Sequence, residues 1–257
     1  PASIEAAMRD AAVVINLVGV LFERGRQSFS AVHAEGAEAI ARAAAAQGAR
    51  LIHVSALGAD FDSPSLYART KAQGEAAVRA AAPDAVIFRP SVVFGPEDDF
   101  FNRFAAMARI SPFLPLVGGG KTRFQPVFVG DVAEAVARAA EGQAKPGTTY
   151  ELGGPEVKTF KELMEFVLET VQRRRLLVPI PFALASLGAS ILQFLPKPPL
   201  TPDQVQLLRR DNIVSEAARR EGRTLDGLGI DAVSMAAIVP SYLWRFRKGG
   251  QFSNRLA

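Results

Sequence analysis

The chain has 257 residues, 49% of them apolar and 22% charged, with a formal net charge of +4. That is the composition of a folded protein with one large core or two unequal lobes, and it excludes a disordered chain. There is no cysteine, so disulfides and thiolate metal sites are excluded, and the two histidines, His33 and His53, are too few for a histidine-rich zinc or iron site. Charge is uneven along the chain. Residues 173–257 hold 13 Lys and Arg against 6 Asp and Glu, a net of +7, which leaves 17 against 20, a net of −3, for residues 1–172. The basic end reads either as a solvated face or as a surface that meets something acidic, such as phospholipid or a partner subunit.

In chain order, Ala11–Val18 is an almost unbroken apolar run ending at Gly19, which suits a parallel strand buried on both faces. The chain opens at Pro1 with no initiator Met and runs straight into that strand, so it is expected to be a piece of a longer protein. Ser28–Gln47 has helical spacing and is closed by Gly48. Arg50–Val54 reads as a second strand, Pro64–Ala82 as a long helix and Ala85–Arg89 as a third strand. Strands and helices alternating at this spacing imply right-handed crossovers and a parallel sheet, hence a doubly wound α/β fold.

Beyond Pro96 the expected elements are a helix near Asp98–Ala108, a loop over Ser111–Gly120, a strand around Arg123–Phe128, and a helix capped by Asp131. A strand at Thr149–Leu152 follows, then a capping box of Thr159 and Glu162 that starts a helix running to Arg174. Residues 176–195 carry no charge, but Pro179 and Pro181 cut the run. The helix-competent remainder, Phe182–Leu195, would be about 21 Å long at ~1.5 Å per residue, short of a hydrocarbon core of ~30 Å. It either packs in a C-terminal lobe or lies in a membrane interface or subunit contact. The flanking Arg173–Arg175 and the cluster of Trp244, Arg245, Phe246, Arg247 and Lys248 favour the second choice.

Three residues carry the candidate chemistry. On a helix, Tyr67 and Lys71 lie one turn apart on one face, and an ammonium beside a phenol favours the phenolate, the form that exchanges a proton with a carbonyl or alcohol. Ser55 ends the second strand, at the sheet edge where open α/β folds bind ligands, and could hold the same substrate oxygen.

Taken with the strand and Asn16-Leu17-Val18-Gly19, the run Val32–Gly36 and the block Phe88–Pro96, this pattern resembles an extended short-chain dehydrogenase/reductase over residues 1–155. The resemblance implies a Rossmann-like domain at 1–155, with its first strands absent from this chain, and a smaller C-terminal lobe at 156–257. It implies Tyr67 as general acid or base, Lys71 as its tuning and ribose-holding partner, and Ser55 as the substrate-orienting hydroxyl. Asn16, Val18 and Gly19 would run beside the adenosine half of a nucleotide, and Arg89, Pro90, Val92 and Val93 near its nicotinamide. The phosphate-binding glycine turn would precede Pro1, and His33 stands where the family carries a helix asparagine that relays protons.

Further blocks, Val32–Glu38, His53-Val54-Ser55, Tyr67–Glu75 and the stretch from Pro199, are similar to the reductase-like, NADPH-binding accessory subunits of respiratory complex I, the alpha-subcomplex subunit 9 family. That similarity implies NADP(H) in preference to NAD(H), complex I subunits as partners, contact with a membrane surface through the basic end, and no turnover. With the Ala- and Arg-rich composition of GC-rich bacterial genomes, it places the chain on the cytoplasmic face of a bacterial inner membrane. The alternative is a soluble cytoplasmic NAD(P)-dependent oxidoreductase or nucleotide-sugar epimerase.

Other signals read as structural. Gly118-Gly119-Gly120-Lys121-Thr122 lacks the P-loop's first glycine, since Pro115 stands there. Glu97, Asp98 and Asp99 suit a helix start better than a metal. Phe100, Phe101 and Phe104 have core spacing. Arg173–Arg175 without interleaved aromatics is not a nucleic-acid surface.

Overall fold

Short β-rich runs separated by alanine-rich helices leave the chain one economical arrangement, a parallel sheet with helices against it. The computed structural model describes residues 2–196 and 198–250. Val13–Asn16, Arg50–Val54, Val86–Pro90 and Thr149–Leu152 pair in that order, all parallel. The register sets Asn16 beside His53 and His53 beside Ile87, so one face of the sheet carries Val14 and Leu51 at its apolar end, then Asn16, His53 and Ile87 level with one another, and Arg89 further toward the strand ends. The Gly36–Ala46 and Leu66–Ala81 helices cover this face, burying Ala37, Ala41, Ala44 and Val78 against Leu51 and Ile87.

The chain forms two compact units, each drawn from separate stretches. One comprises Pro1–Pro90, Val132–Leu152 and Val214–Asp231, and the other Ser91–Asp131, Gly153–Ile213 and Ala232–Ala257. A single division near residue 155, as the sequence suggests, misses the return of 214–231 to the first unit. That segment is held by the last strand: Ser215 N–H donates to the Glu151 carboxylate at 2.7 Å, and Glu151 N–H donates to the Arg223 carbonyl at 2.9 Å.

The second unit has its own core of Phe94, Phe101, Leu114, Phe160, Leu163, Met164 and Leu243, with Phe100 and Phe104 packed on it as their spacing implied. Asp98 opens the Phe101–Ile110 helix by accepting the N–H groups of Phe101 and Asn102. Its other oxygen accepts the Tyr242 hydroxyl at 2.5 Å, and burial together with that carboxylate pushes the phenol far above its ordinary range. The capping box of Thr159 and Glu162 is present in both directions.

Several elements differ from the sequence reading. The first strand stops at Asn16, because Asn16 turns its side-chain oxygen back to accept Val18 N–H at 3.1 Å. Ser111–Gly120 is not a loop: Phe113–Val117 is a strand paired in parallel with Leu176–Ile180, a partner some sixty residues away that no local signal announces. Both strands tolerate a proline because a two-stranded ribbon leaves outer N–H positions free of ladder bonds. Arg123–Phe128 splits into Arg123–Phe124 and Val127–Phe128, which pair with different strands. Asp131 is not a cap but lies inside the Val129–Ala140 helix and accepts Val233 N–H at 2.8 Å. The capping-box helix ends at Thr170, short of Arg174, and Gln172 follows at φ 53°.

The helix over Ser28–Gln47 is also modified, since Ser30–Glu35 is a π turn that becomes α only from Gly36. Against it lies Gly74, where a Cβ would come within 2.0 Å of the His33 carbonyl oxygen. Gly188, in the Phe182–Leu192 helix, has open space around it. Gly74→Ala is therefore expected to lower the free energy of unfolding by about 1–3 kcal/mol through overpacking, and Gly188→Ala to raise it by about 0.5–1 kcal/mol through helix propensity. Urea unfolding of the two variants side by side checks the opposite signs.

Candidate functional site

Three elements of the first unit bring the candidate residues together: the end of the Val13–Asn16 strand, the end of the Arg50–Val54 strand, and the first turns of the Leu66–Ala81 helix. Ser65 caps that helix by accepting Ala68 N–H, which fixes where Tyr67 and Lys71 fall on it.

Lys71 is buried, 5% exposed, with its ammonium 3.4 Å from the Val54 carbonyl and 5.9 Å from the centroid of the Tyr67 ring. Burial pulls its pKa down to about 8, against a smaller upward pull from Glu75. The nearest acidic residue on its helix does not neutralise it directly, because Glu75 is gripped by Arg89 through two hydrogen bonds of 2.9 and 2.6 Å. Gly19 lies against the ammonium: a Cβ there would sit 3.2 Å from Nζ. Tyr67, half-buried, stands edge-on to His33 and Phe29, with centroids 5.1 and 5.7 Å away.

The two histidines are locked in place. Asn16 accepts Val18 N–H with its oxygen, so its amide nitrogen donates to His53 Nδ1 at 3.0 Å and leaves the His53 proton on Nε2. His33 Nε2 accepts Val20 N–H at 3.1 Å, and its Nδ1 faces Thr70 Oγ1 at 3.2 Å. Burial, then the nearby Lys71 charge, holds both rings down at a pKa of about 4.

Ser55 is 4% exposed, its backbone N–H donating to the Phe88 carbonyl at 2.7 Å. Among the described residues, Ser55 Oγ and His53 Nε2 are buried polar atoms without a hydrogen-bond partner. Such orphans carry a desolvation cost of about 1–3 kcal/mol each, which a ligand can relieve. Together with the Lys71 ammonium they are donors grouped at the strand ends, and they fit a ligand that presents oxygen acceptors, as ribose hydroxyls and a carbonyl do.

Of the residues the sequence singles out, Asn16, Gly19, Ser55, Tyr67 and Lys71 come together, and Val18 follows Asn16 at the same strand end with its side chain 57% exposed. Arg89 has its guanidinium committed to Glu75, with Glu151 at 4.0 Å, and Pro90 accepts Leu57 N–H through its carbonyl. Val92 and Val93 belong to the second unit, where Val93 pairs with Val127. Sequence reasoning passes over Thr70 and Gly74. The signal for Gly74 was its position in mid-helix, where glycine costs about 1 kcal/mol relative to alanine and calls for a packing reason.

This parallel sheet, with its serine at a strand end and its tyrosine and lysine on the next helix, defines a Rossmann-like α/β fold. Residues 21–190 match the family of the RmlD substrate binding domain, and the chain belongs to that family, within the extended short-chain dehydrogenases/reductases. It is 38% identical to the mitochondrial NADH dehydrogenase (ubiquinone) 1 alpha subcomplex subunit 9 of Arabidopsis thaliana over 260 residues, which cover 96% of this chain and 64% of that one. The chain thus spans less than two thirds of that relative's length. A dTDP-glucose 4,6-dehydratase from Streptomyces venezuelae, solved with NAD and TYD bound, shares the fold at TM-score 0.69 and 19% identity, over 95% of this chain and 76% of that one. A dTDP-4-dehydrorhamnose reductase from Bacillus anthracis, solved in complex with NADP, does so at TM-score 0.59 and 16% identity, over 70% of each chain.

Two outcomes follow from the electrostatics. Both histidines fold with pKa values of about 4 against 6.5 when exposed, so the unfolded chain binds more protons between those values and stability falls as pH drops from 6.5 to about 4. NMR titration of the only two imidazoles in the chain should give midpoints near 4, and a midpoint near 6.5 for either contradicts its burial. For Lys71, depressed to about 8 from 10.5, the cost of burying the ammonium is present in full below pH 8 and is relieved as pH rises toward 10.5. Lys71→Met is expected to raise unfolding stability at pH 7 by about 1–3 kcal/mol, and urea unfolding at pH 7 and pH 10 should show the gain shrinking at the higher pH.

Proposed function

We propose that this chain is part of a reductase-like, nucleotide-binding accessory subunit of membrane-bound NADH:ubiquinone oxidoreductase. In this reading it holds NADP(H), in preference to NAD(H), as a structural ligand that it does not turn over. The observation that carries it is the 38% identity, spread over 96% of the chain, to a protein named as a subunit of that enzyme. A bound nicotinamide nucleotide would supply hydride chemistry; the chain's part is to bind and orient it. Lys71 presents an ammonium and Ser55 a hydroxyl to ligand oxygens, with Tyr67 beside them, while Asn16, Val18 and Gly19 offer the strand end along which the nucleotide lies. Arg89, Pro90, Val92 and Val93 would pass near the nicotinamide, the Arg89 side chain excepted, since it is spent on Glu75. A ligand bound only to the folded state adds about 4 kcal/mol when present at ~1,000 times its Kd, so retention without turnover has a physical use.

The second unit supports attachment to other subunits and to the surface of the membrane that carries the enzyme. Among the described residues no helix is long and apolar enough to cross a membrane. The Phe182–Leu192 helix turns the small Ala185 and Ala189 inward and leaves Leu184, Leu187 and Ile191 61, 65 and 70% exposed, with Phe194 beyond it at 84%. Large apolar groups facing outward on an uncharged helix call for an apolar partner or a lipid interface.

A second reading, an active NAD(P)-dependent oxidoreductase or epimerase, is favoured by the grouping of Ser55, Tyr67 and Lys71. Tyr67→Phe in the full-length protein separates the two. Under the first reading the subunit still assembles into the active complex on native gels and still retains nucleotide; loss of assembly on removing that one hydroxyl counts against it. Under the second, turnover of a carbonyl substrate falls by about 10²–10⁴, the usual loss for a general acid or base.

A further inference from the structure

The resemblance to the wider family sets His33 where that family carries a proton-relaying asparagine, yet the ring's contacts give it a different task. A backbone N–H can only donate, so the 3.1 Å contact from Val20 N–H requires a lone pair on His33 Nε2. The ring is neutral, since burial beside Lys71 holds its pKa near 4, and its one proton is therefore on Nδ1. That proton is donated to Thr70 Oγ1 at 3.2 Å, and Thr70 passes its own hydroxyl hydrogen to the Leu66 carbonyl at 2.9 Å. Both ring nitrogens are thereby spent, and the imidazole has no site left with which to accept or release a proton.

What the ring does is join two segments. Val20 follows the Leu17–Gly19 stretch, which has left the sheet, and Thr70 sits next to Lys71 on the helix that also carries Tyr67. Three packing features hold the joint. Phe29 stacks on the imidazole at 5.3 Å, the π turn presents the side chain, and Gly74 lets the helix come against the His33 carbonyl. Gly19, between the joined segments, is so placed that a Cβ would lie 3.2 Å from Lys71 Nζ and 3.8 Å from His33 Nε2.

We propose that His33 is a positioning residue: its Nδ1-protonated imidazole, oriented by Thr70, holds the Val20 backbone through the acceptor at Nε2 and so sets the Leu17–Val20 segment against Lys71 for nucleotide binding. The joint itself follows from the contacts; its use in nucleotide binding rests on the function proposed above.

The two ring nitrogens can be removed one at a time. In His33→Gln the longer side chain reaches the Nε2 position with an amide oxygen that still accepts Val20 N–H, whereas the shorter side chain of His33→Asn reaches Thr70 and leaves Val20 N–H without its acceptor. In the full-length protein, His33→Asn is expected to weaken NADPH binding at least tenfold, about 1.4 kcal/mol, and His33→Gln by no more than about threefold, at similar unfolding midpoints. Equal losses of affinity in the two variants, or losses that merely follow their stabilities, overturn the positioning role. A ¹⁵N NMR spectrum of the unliganded protein tests the joint independently of any nucleotide. His33 should be the Nδ1–H tautomer and His53 the Nε2–H tautomer, with slow exchange of the Val20 amide. An Nε2–H tautomer at His33 defeats the proposal, whereas the expected tautomers together with no NADPH binding by the wild type defeat the nucleotide reading and leave the joint standing.

Discussion

The Leu66–Ala81 helix can rest on the Ser30–Glu35 turn only because residue 74 has no side chain, since a Cβ there would sit 2.0 Å from the His33 carbonyl oxygen. That backbone contact sets the depth at which the helix lies over the sheet, and with it the height of Lys71 and Tyr67 above the strand ends. The π turn complements it. Its hydrogen bonds run from i to i+5 in place of i to i+4, an irregularity of the kind that recurs at functional sites, and it carries the His33 ring that meets Val20 and Thr70.

The electrostatics of the region follow from what is kept neutral. Lys71, His33 and His53 are all buried, and three cations so close in a medium of low polarity would repel one another strongly. The histidines give way: each uses a lone pair to accept an N–H and stays uncharged, which leaves the single ammonium of Lys71 as the positive group. Glu75, one turn along, is not spent on neutralising it, because Arg89 holds both of its oxygens. The result is a positive, donor-rich group of side chains at the ends of two parallel strands, the place where open α/β sheets bind ligands. The orphaned Ser55 hydroxyl and His53 N–H belong to that group, and their desolvation is a cost the fold carries.

The second unit obeys a different constraint. Its core is a nest of phenylalanines, with Phe100 edge-on to Phe101 and Phe104 at 5.2 and 5.3 Å, and it satisfies itself without the apolar helix that follows Pro181. That helix packs through Ala185 and Ala189, with Phe182 at its start, against Val117 and Val205. Its leucines and isoleucine have been placed on the outside, where in water alone they gain nothing.

Much of the site was legible in the residues because its signals are local. Tyr67 and Lys71 face one way by the helical repeat alone, Ser55 ends a strand whose bounds, Arg50–Val54, the sequence marks cleanly, and the capping box of Thr159 with Glu162 is a four-residue signature. What the sequence determined, then, is whatever the 3.6- and 2-residue periods and the capping groups decide within a few residues: a parallel α/β fold and the side chains grouped at its strand ends. Only the tertiary structure decided the pairing of Phe113–Val117 with Leu176–Ile180, the return of 214–231 to the first unit, the capture of the Arg89 guanidinium by Glu75, and the joint at His33. Each of these joins groups from 13 to more than sixty residues apart, and its energy comes from a partner that the local pattern does not contain.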